Sequence, residues 1–291
     1  MSTPTTTAPV ASTSTLSASE AEALKASVFQ RLHPRIYYER FLAERVRPDG
    51  RDFDAWRDVA VNVGSISTAD GSSLVRLGDT TIVCGVKAEI AQPELDSPNE
   101  GFIVPNVDLP AICSSKFKPG PPTEEAQVLS DRLNEVLTAH DVLPTSSLVI
   151  HPGKAVWVLY IDATCINYDG NAFDATLIAM VAALKSTRLP RARYNEDTGK
   201  TICSRHDRVP LTLNNLPVAL SFGVFNNDVL MSDLTSFEEP LMDTSVTVVL
   251  GQDGGVLSVT QAGMGGGDTL VESCIASASK RRSFLAEYIY E

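Results

Sequence analysis

Apolar and polar residues change their spacing several times along the chain, and each change marks an element. Helical spacing from Glu20 to Leu32 predicts one helix. Pro34 suits the first turn of a second, which carries Ile36, Tyr37, Phe41 and Leu42. From Val59 the period falls to two. Val59, Val61 and Val63 alternate with other residues, and Ser72–Leu77 and Thr80–Lys87 are β-rich on either side of Gly78-Asp79. Residues 92–122, rich in Pro, Asp and Asn, predict a long, partly extended excursion. Thr123 then caps a predicted helix over Glu124–Ala139, with two carboxylates at its positive end. Strands follow at Ser147–Ile150 and Ala155–Ile166, around the turn His151-Pro152-Gly153-Lys154. Asn171–Ser186 predicts a helix so apolar, unbroken from Ala175 to Leu184, that it must be buried on most sides. The polar stretch Leu189–Val209 is the candidate linker and carries much of the positive charge of the second half. Pro217–Phe225, Val229–Asp233, Thr244–Leu250 and Val256–Thr260 form a second meander, closed by a helix over about Thr269–Tyr288.

Strands followed by a helix thus occur twice, which predicts an α+β protein made of two similar β-meander-plus-helix halves packed as one compact unit. The expected divisions are a disordered Ser/Thr-rich tail over 1–19, structural helices over 20–46, a first half over 47–188, a linker over 189–209 and a second half over 210–291. A chain of 291 residues with 43% hydrophobic content can bury a substantial core. No run approaches the roughly 18 apolar residues of a membrane span, and the start lacks a secretory pattern, so a cytoplasmic or nuclear location is expected. Cys84, Cys113, Cys165, Cys203 and Cys274 are odd in number and form no C-x-x-C pair, which argues against a disulfide framework or a zinc site. A net charge of -12 excludes a protein that wraps nucleic acid by itself, so any RNA contact must be local or shared with partners.

The motifs narrow this further. Arg47-Pro48-Asp49-Gly50-Arg51 precedes a segment from Ala69-Asp70-Gly71-Ser72 to Gly78-Asp79-Thr80-Thr81. With them stand Val104-Pro105-Asn106-Val107-Asp108-Leu109-Pro110, Pro119-Gly120-Pro121-Pro122, Pro152-Gly153-Lys154 and Tyr168-Asp169-Gly170-Asn171. Together they resemble the RNase PH family, from about Arg47 to the last helix, and within it the non-catalytic RNase PH-like ring subunits of the eukaryotic exosome core. The resemblance implies the RNase PH-like fold and a place in a six-membered ring capped by OB-fold and KH-bearing subunits. RNA would pass through its channel to a separate hydrolytic nuclease, in the nucleus, nucleolus and cytoplasm.

Family members that cleave RNA with inorganic phosphate need a phosphate cradle, an acid for the departing 3′ oxygen and cations along the RNA chain. The resemblance places the cradle, Gly then Ser or Thr then Arg, at Asn171, Ala172 and Phe173, where hydroxyl and guanidinium are both missing; the site is degenerate. Asp174 in the first turn of the same helix supplies an anion that repels another. Counting back from Asp253-Gly254-Gly255 puts Thr244 at the catalytic-acid position, with Asp243 beside it and expected to point away by strand alternation. Asp233, Glu238 and Glu239 are expected in a solvated turn, and no catalytic residue is expected. Lys116, Lys118 and Arg132 are the expected RNA contacts, around Phe117; the alternative is a solvated loop followed by an Asp131-Arg132 surface pair.

The remaining motifs carry less. Gly263-Met264-Gly265-Gly266-Gly267-Asp268 leads into a helix but lacks the Lys-Ser/Thr of a P-loop, and Thr269-Leu270-Val271-Glu272 fits a capping box. His33, His140, His151 and His206 form neither a metal pair nor a nucleophile-base motif, so no metal and no cofactor are expected. Three classes remain: an inert ring subunit, an active phosphorolytic exonuclease relying on Asp243, and a small-molecule kinase whose nucleotide loop is absent. The first is the expectation, with a catalytic-type sister chain as neighbour.

Overall fold

The computed structural model describes residues 18–263 and 267–290, and these divide into two units, within 1–52 and 53–291. Residues 1–17 of the expected tail and 264–266 of the glycine loop lie outside the described residues.

The first unit holds α1 (Ala18–Leu32) and α2 (Pro34–Ala43), separated by His33 alone. Pro34 takes the first helical position, where its missing N–H loses no bond. Phe29 packs against His33 and Tyr37, at 5.6 and 6.4 Å between ring centroids, and the Arg40 guanidinium lies 4.6 Å over the Phe29 ring.

The second unit starts with β1 (Val59–Val63), β2 (Gly71–Leu77) and β3 (Thr80–Ala91), an antiparallel meander as the alternation predicts. Then come β4 (Phe102–Asp108), α3 (Glu124–Ala139), β5 (Val149–His151) and β6 (Ala155–Asn167). The first sheet runs β1-β2-β3-β6-β4, with β5 also paired to β6. Strand β4 is parallel to β6 and sits within the stretch expected to be a long, partly extended excursion. It is an edge strand, and only there can Pro105, without an N–H, stand in a ladder. α4 (Ala172–Ser186) follows, and then β7 (Arg188–Asn195) and β8 (Lys200–Pro210), a separate two-stranded hairpin in the expected linker. Only Leu189 of β7 is buried, and a register shift between Pro190 and Ala192 breaks the alternation that would betray the strand.

β9 (Val218–Phe225), β10 (Val229–Ser232), β11 (Thr244–Leu250) and β12 (Val256–Gly263) make the second sheet, in the order β10-β9-β11-β12, and α5 (Asp268–Tyr290) closes the chain. α4 packs against β1, β2, β3 and β6 of the first sheet and against β9 of the second. Every residue from Ala172 to Leu184 is therefore buried, and side chains such as Leu177, Ile178 and Met180 each contribute about 1.5–3 kcal/mol. The α+β architecture of two sheet-and-helix halves is as expected, and its core joins α4 to strands of both large sheets and to α3 and α5.

Candidate functional site

The loop before α4 is tied down from three sides. Arg57 donates from Nε and Nη2 to the two oxygens of Asp233, at 2.9 and 2.7 Å, and from its backbone N–H to the same carboxylate at 2.9 Å. Its Nη1 reaches the Asp169 carbonyl at 2.7 Å. The Thr80 hydroxyl donates to the Gly170 carbonyl at 2.7 Å and accepts from the Asp169 N–H at 3.1 Å. Ser236 adds a bond to the Asp169 carboxylate at 2.8 Å. Gly170, at φ +76°, lies so close to residues 234–236 that a Cβ would stand 2.5 Å from the Thr235 carbonyl carbon. Asn171 sits in the left-handed region at φ 53°, which asparagine tolerates, and its amide donates to Asp233 at 2.7 Å.

Helix α4 thus begins against residues 233–241 of the second half, and there an internal carboxylate meets it. Glu239 accepts from the Asn171 N–H through Oε1 at 2.7 Å and from the Tyr168 hydroxyl through Oε2 at 2.6 Å. A free N–H at a helix start with its positive dipole end is what an anion seeks, and this one is taken. Burial pushes the Glu239 carboxyl up, against the Tyr168 and Asn171 bonds that favour its charge. Asp174, expected to supply that anion, turns instead to β9 and accepts from the Ser221 N–H at 2.8 Å and hydroxyl at 2.7 Å. Its complete burial pushes its pKa up to about 6, despite the Ser221 and Asn171 hydrogen bonds.

The expected solvated turn is therefore corrected. Asp233 is fully buried, and although burial opposes its ionisation, the Arg57 guanidinium holds its carboxyl below the usual range. Glu238 is 1% exposed and bonds the Thr235 N–H and hydroxyl at 2.9 and 3.0 Å. Leu234 and Phe237, apolar residues mixed among the acids, were the one hint of burial. The pairing of Glu239 with a backbone group 68 positions earlier left no local signal at all.

A cavity of about 250 Å³ opens at this helix start, lined among others by Arg132, Tyr168, Phe173, Ser245, Thr247 and Glu239. The face of β11 turned to it carries Ser245 and Thr247, and by strand alternation Thr244 points to the other side. The expected facing of Asp243 is thus corrected: it is in phase with the cavity face. It stands just before the strand, however, and its carboxylate accepts from the Asn226 N–H at 2.7 Å, away from the lining. Where the resemblance calls for a hydroxyl and a guanidinium there are Ala172 and Phe173, 5% and 6% exposed.

The basic residues are distributed unevenly. Lys116 pairs with Glu125 at 2.8 Å and lies 5.3 Å from the Tyr168 ring centroid, while Lys118 is exposed with no bonded partner among the described residues. Phe117 is a core residue, edge-on to Tyr168, and offers no face to a base. Arg132 makes no pair with Asp131: its guanidinium lies 4.2 Å over the Phe173 ring, and burial holds its pKa down against the charges of Asp174 and Glu135. Lys116 and Arg132 share a groove of about 640 Å³ beside the cavity; Lys118 is not in its lining. Among the described residues no three His, Cys, Asp or Glu side chains converge on a metal-sized point, and no helix is long and apolar enough to cross a membrane.

Residues 55–190 match the first domain of the 3′ exoribonuclease family, RNase PH, and residues 215–281 match its second domain. An exosome complex component rrp43 of Schizosaccharomyces pombe is 42% identical over 237 residues, 81% of this chain and 87% of that one. An exosome complex component Rrp42 of Thermococcus gammatolerans is 34% identical over 254 residues, 85% and 92% of the two chains. An Archaeoglobus fulgidus exosome chain, solved with RNA bound to the active site, superposes with a TM-score of 0.78 at 28% identity, covering 91% of this chain and 99% of that one. A chain of an archaeal exosome core gives 0.75 at 26% identity, with 93% and 100% covered.

Proposed function

Since the chain belongs to the RNase PH family of 3′ exoribonucleases, we propose that it is a ring subunit of the RNA exosome core that does not itself cleave RNA. The observation that carries this reading is the helix start of α4. Its N–H group bonds Glu239, and Ala172 and Phe173 stand where phosphate would need a hydroxyl and a guanidinium. A second anion at that point would meet Glu239, which lines the cavity. Among the described residues around the cavity each acid is engaged, which disfavours a role for any of them at a leaving 3′ oxygen: Glu239 is bonded through both oxygens, Glu125 pairs with Lys116 and Asp243 is turned to Asn226.

On this reading the chain helps to build the channel that delivers RNA 3′ ends to a separate hydrolytic nuclease in 3′-to-5′ processing and decay. Its neighbours are other RNase PH-like subunits, including a catalytic-type sister chain, and OB-fold and KH cap subunits, in the nucleus, nucleolus and cytoplasm. Arg132, Lys116 and Lys118 are its RNA contacts near the cavity, binding phosphates without reading sequence. The test is release of nucleoside diphosphates from single-stranded RNA by the purified chain, alone and with its sister chain, with and without inorganic phosphate. The chain alone should release none. Phosphate-dependent release by the chain alone would overturn the reading.

A further inference from the structure

The hairpin β7–β8 has a charge that the fold does not explain. Residues 188–210 hold six of the chain's 24 Lys and Arg residues against three of its 36 Asp and Glu residues, in a protein of net charge -12. The base of the hairpin is accounted for. Asp70 accepts from the Arg208 guanidinium at 3.3 Å, its carbonyl accepts from the Arg188 N–H at 3.0 Å, and Arg188 stands where the negative end of α4 favours a cation. Arg191 pairs with Asp207 at 3.1 Å.

Farther out, Arg193 and Lys200 are exposed, and neither has a hydrogen-bond or ion-pair partner for its side chain among the described residues. The register opposes Arg193 to Ile202 and Asn195 to Lys200, which puts these cations on one face with Ile202, itself 62% exposed. Arg191, Arg193, Ile202 and Ser204 line an open groove of about 670 Å³, with Glu196 and Asp197 at its tip and Lys200 outside its lining. The two strands pair only with each other, and the hairpin rests on β5 through Tyr194, whose ring lies 5.0 Å from that of His151, and Glu196, 3.2 Å from His151 Nε2. A docked protein would want a broad apolar centre, and here Ile202 with the half-buried Ala192 and Tyr194 is interleaved with charged residues, whereas a phosphodiester chain needs only the cations.

We propose that this face of the β7–β8 hairpin, centred on Arg193 and Lys200, is a second contact for the phosphate backbone of single-stranded RNA. It leaves α4 at the end opposite the cavity, and the helix of 15 residues separates the two by about 22 Å. The choice of RNA as the polyanion rests on the function proposed above.

The test is the affinity of the full chain for a labelled single-stranded oligoribonucleotide as a function of salt, in the parent, in Arg193→Gln/Lys200→Gln and in Lys116→Gln/Lys118→Gln. Two lost phosphate contacts should lower the salt slope by about 1.4 and the affinity about 25-fold at 0.1 M salt. Gln keeps the size of the side chain at positions with no folded partner, and an unchanged unfolding midpoint confirms the fold. An unchanged slope in the hairpin variant overturns the inference, as does a parent that binds no RNA. Loss of slope in the Lys116/Lys118 variant alone would leave the RNA at the cavity groove and the hairpin without it. Retained RNA affinity with lost association to another ring subunit would make the hairpin a protein contact. The nucleoside diphosphate assay fails or succeeds separately, since binding here involves no cleavage.

Discussion

The two ends of α4 are built with similar means and for different purposes. At the C-terminal end the family motif Ala69-Asp70-Gly71-Ser72 meets the last turn. Asp70 bonds the Ala88 N–H and Arg208, and the Ser186 hydroxyl joins Ser72 through its N–H at 3.1 Å. A Cβ on Gly71 would stand 2.0 Å from the Thr187 hydroxyl and 2.6 Å from the Ala183 carbonyl oxygen. At the N-terminal end the Asp169-Gly170 pair makes a similarly close approach, and there Glu239 bonds the N–H at the helix start. A motif shared with the family therefore speaks for packing where it fixes a close approach. Only the residues that face the cavity speak for chemistry.

Substitutions can break that comparison, and the largest effect belongs to the N-terminal end. Asp233→Ala leaves the Arg57 guanidinium buried without its partner and should destabilise by about 3–5 kcal/mol in denaturant unfolding. Asp70→Ala, its counterpart at the other end, faces a partly exposed Arg208 and should cost only about 1 kcal/mol. Because the folded Asp233 carboxyl titrates below its ordinary value, its contribution is present above about pH 4 and is lost as pH falls through the folded value. Acid unfolding of Asp233→Asn should lack that component.

Gly71→Ala and Gly170→Ala test the two close approaches together. Each forces a Cβ into backbone atoms and should cost about 3 kcal/mol, read from thermal unfolding. A tolerated Gly170→Ala would separate the ends and show that the loop before α4 is free to shift. Glu239→Ala comes next, at about 2 kcal/mol, since the Asn171 N–H and Tyr168 hydroxyl lose their acceptor.

Asp174→Asn should change stability at pH 7 by no more than about 1 kcal/mol, because an amide can still join Ser221. It should remove a pH dependence, however. With its folded pKa raised to about 6, Asp174 binds its proton more tightly in the folded chain, so stability falls as pH rises from about 4 to 6. The least effect is expected on activity: on the proposed reading Ala172→Ser/Phe173→Arg supplies a hydroxyl and a guanidinium but no acid, and should create no nucleoside diphosphate release.

Much of this molecule could be read from its residues because the readings were local. Period-two alternation marked β1 to β3 and β9 to β12, Thr123 and two glutamates marked α3, and the apolar run from Ala175 to Leu184 marked a helix with protein on every side. β4 was hidden by Pro105 and its polar neighbours, tolerable only because the strand lies at an edge. β7 and β8 were hidden because the bulge between Pro190 and Ala192 breaks the alternation and Leu189 alone of β7 is buried. At the site, the residues at the helix start, Asn171, Ala172 and Phe173, could be named from the sequence, and the Glu239 carboxylate that bonds the Asn171 N–H could not. Glu239 reaches Asn171 only after the second half folds back on the first, and Asp233 finds Arg57 across 176 positions.

The central claim is that the start of α4 is closed to phosphate by the chain itself. Titration of the full chain with inorganic phosphate, followed through the backbone amide resonances of Asn171, Ala172 and Phe173, tests it most directly. The account predicts no saturable shift at these three amides. Saturable shifts there, lost when the phosphate is diluted away, would show a working cradle beneath Glu239 and contradict it.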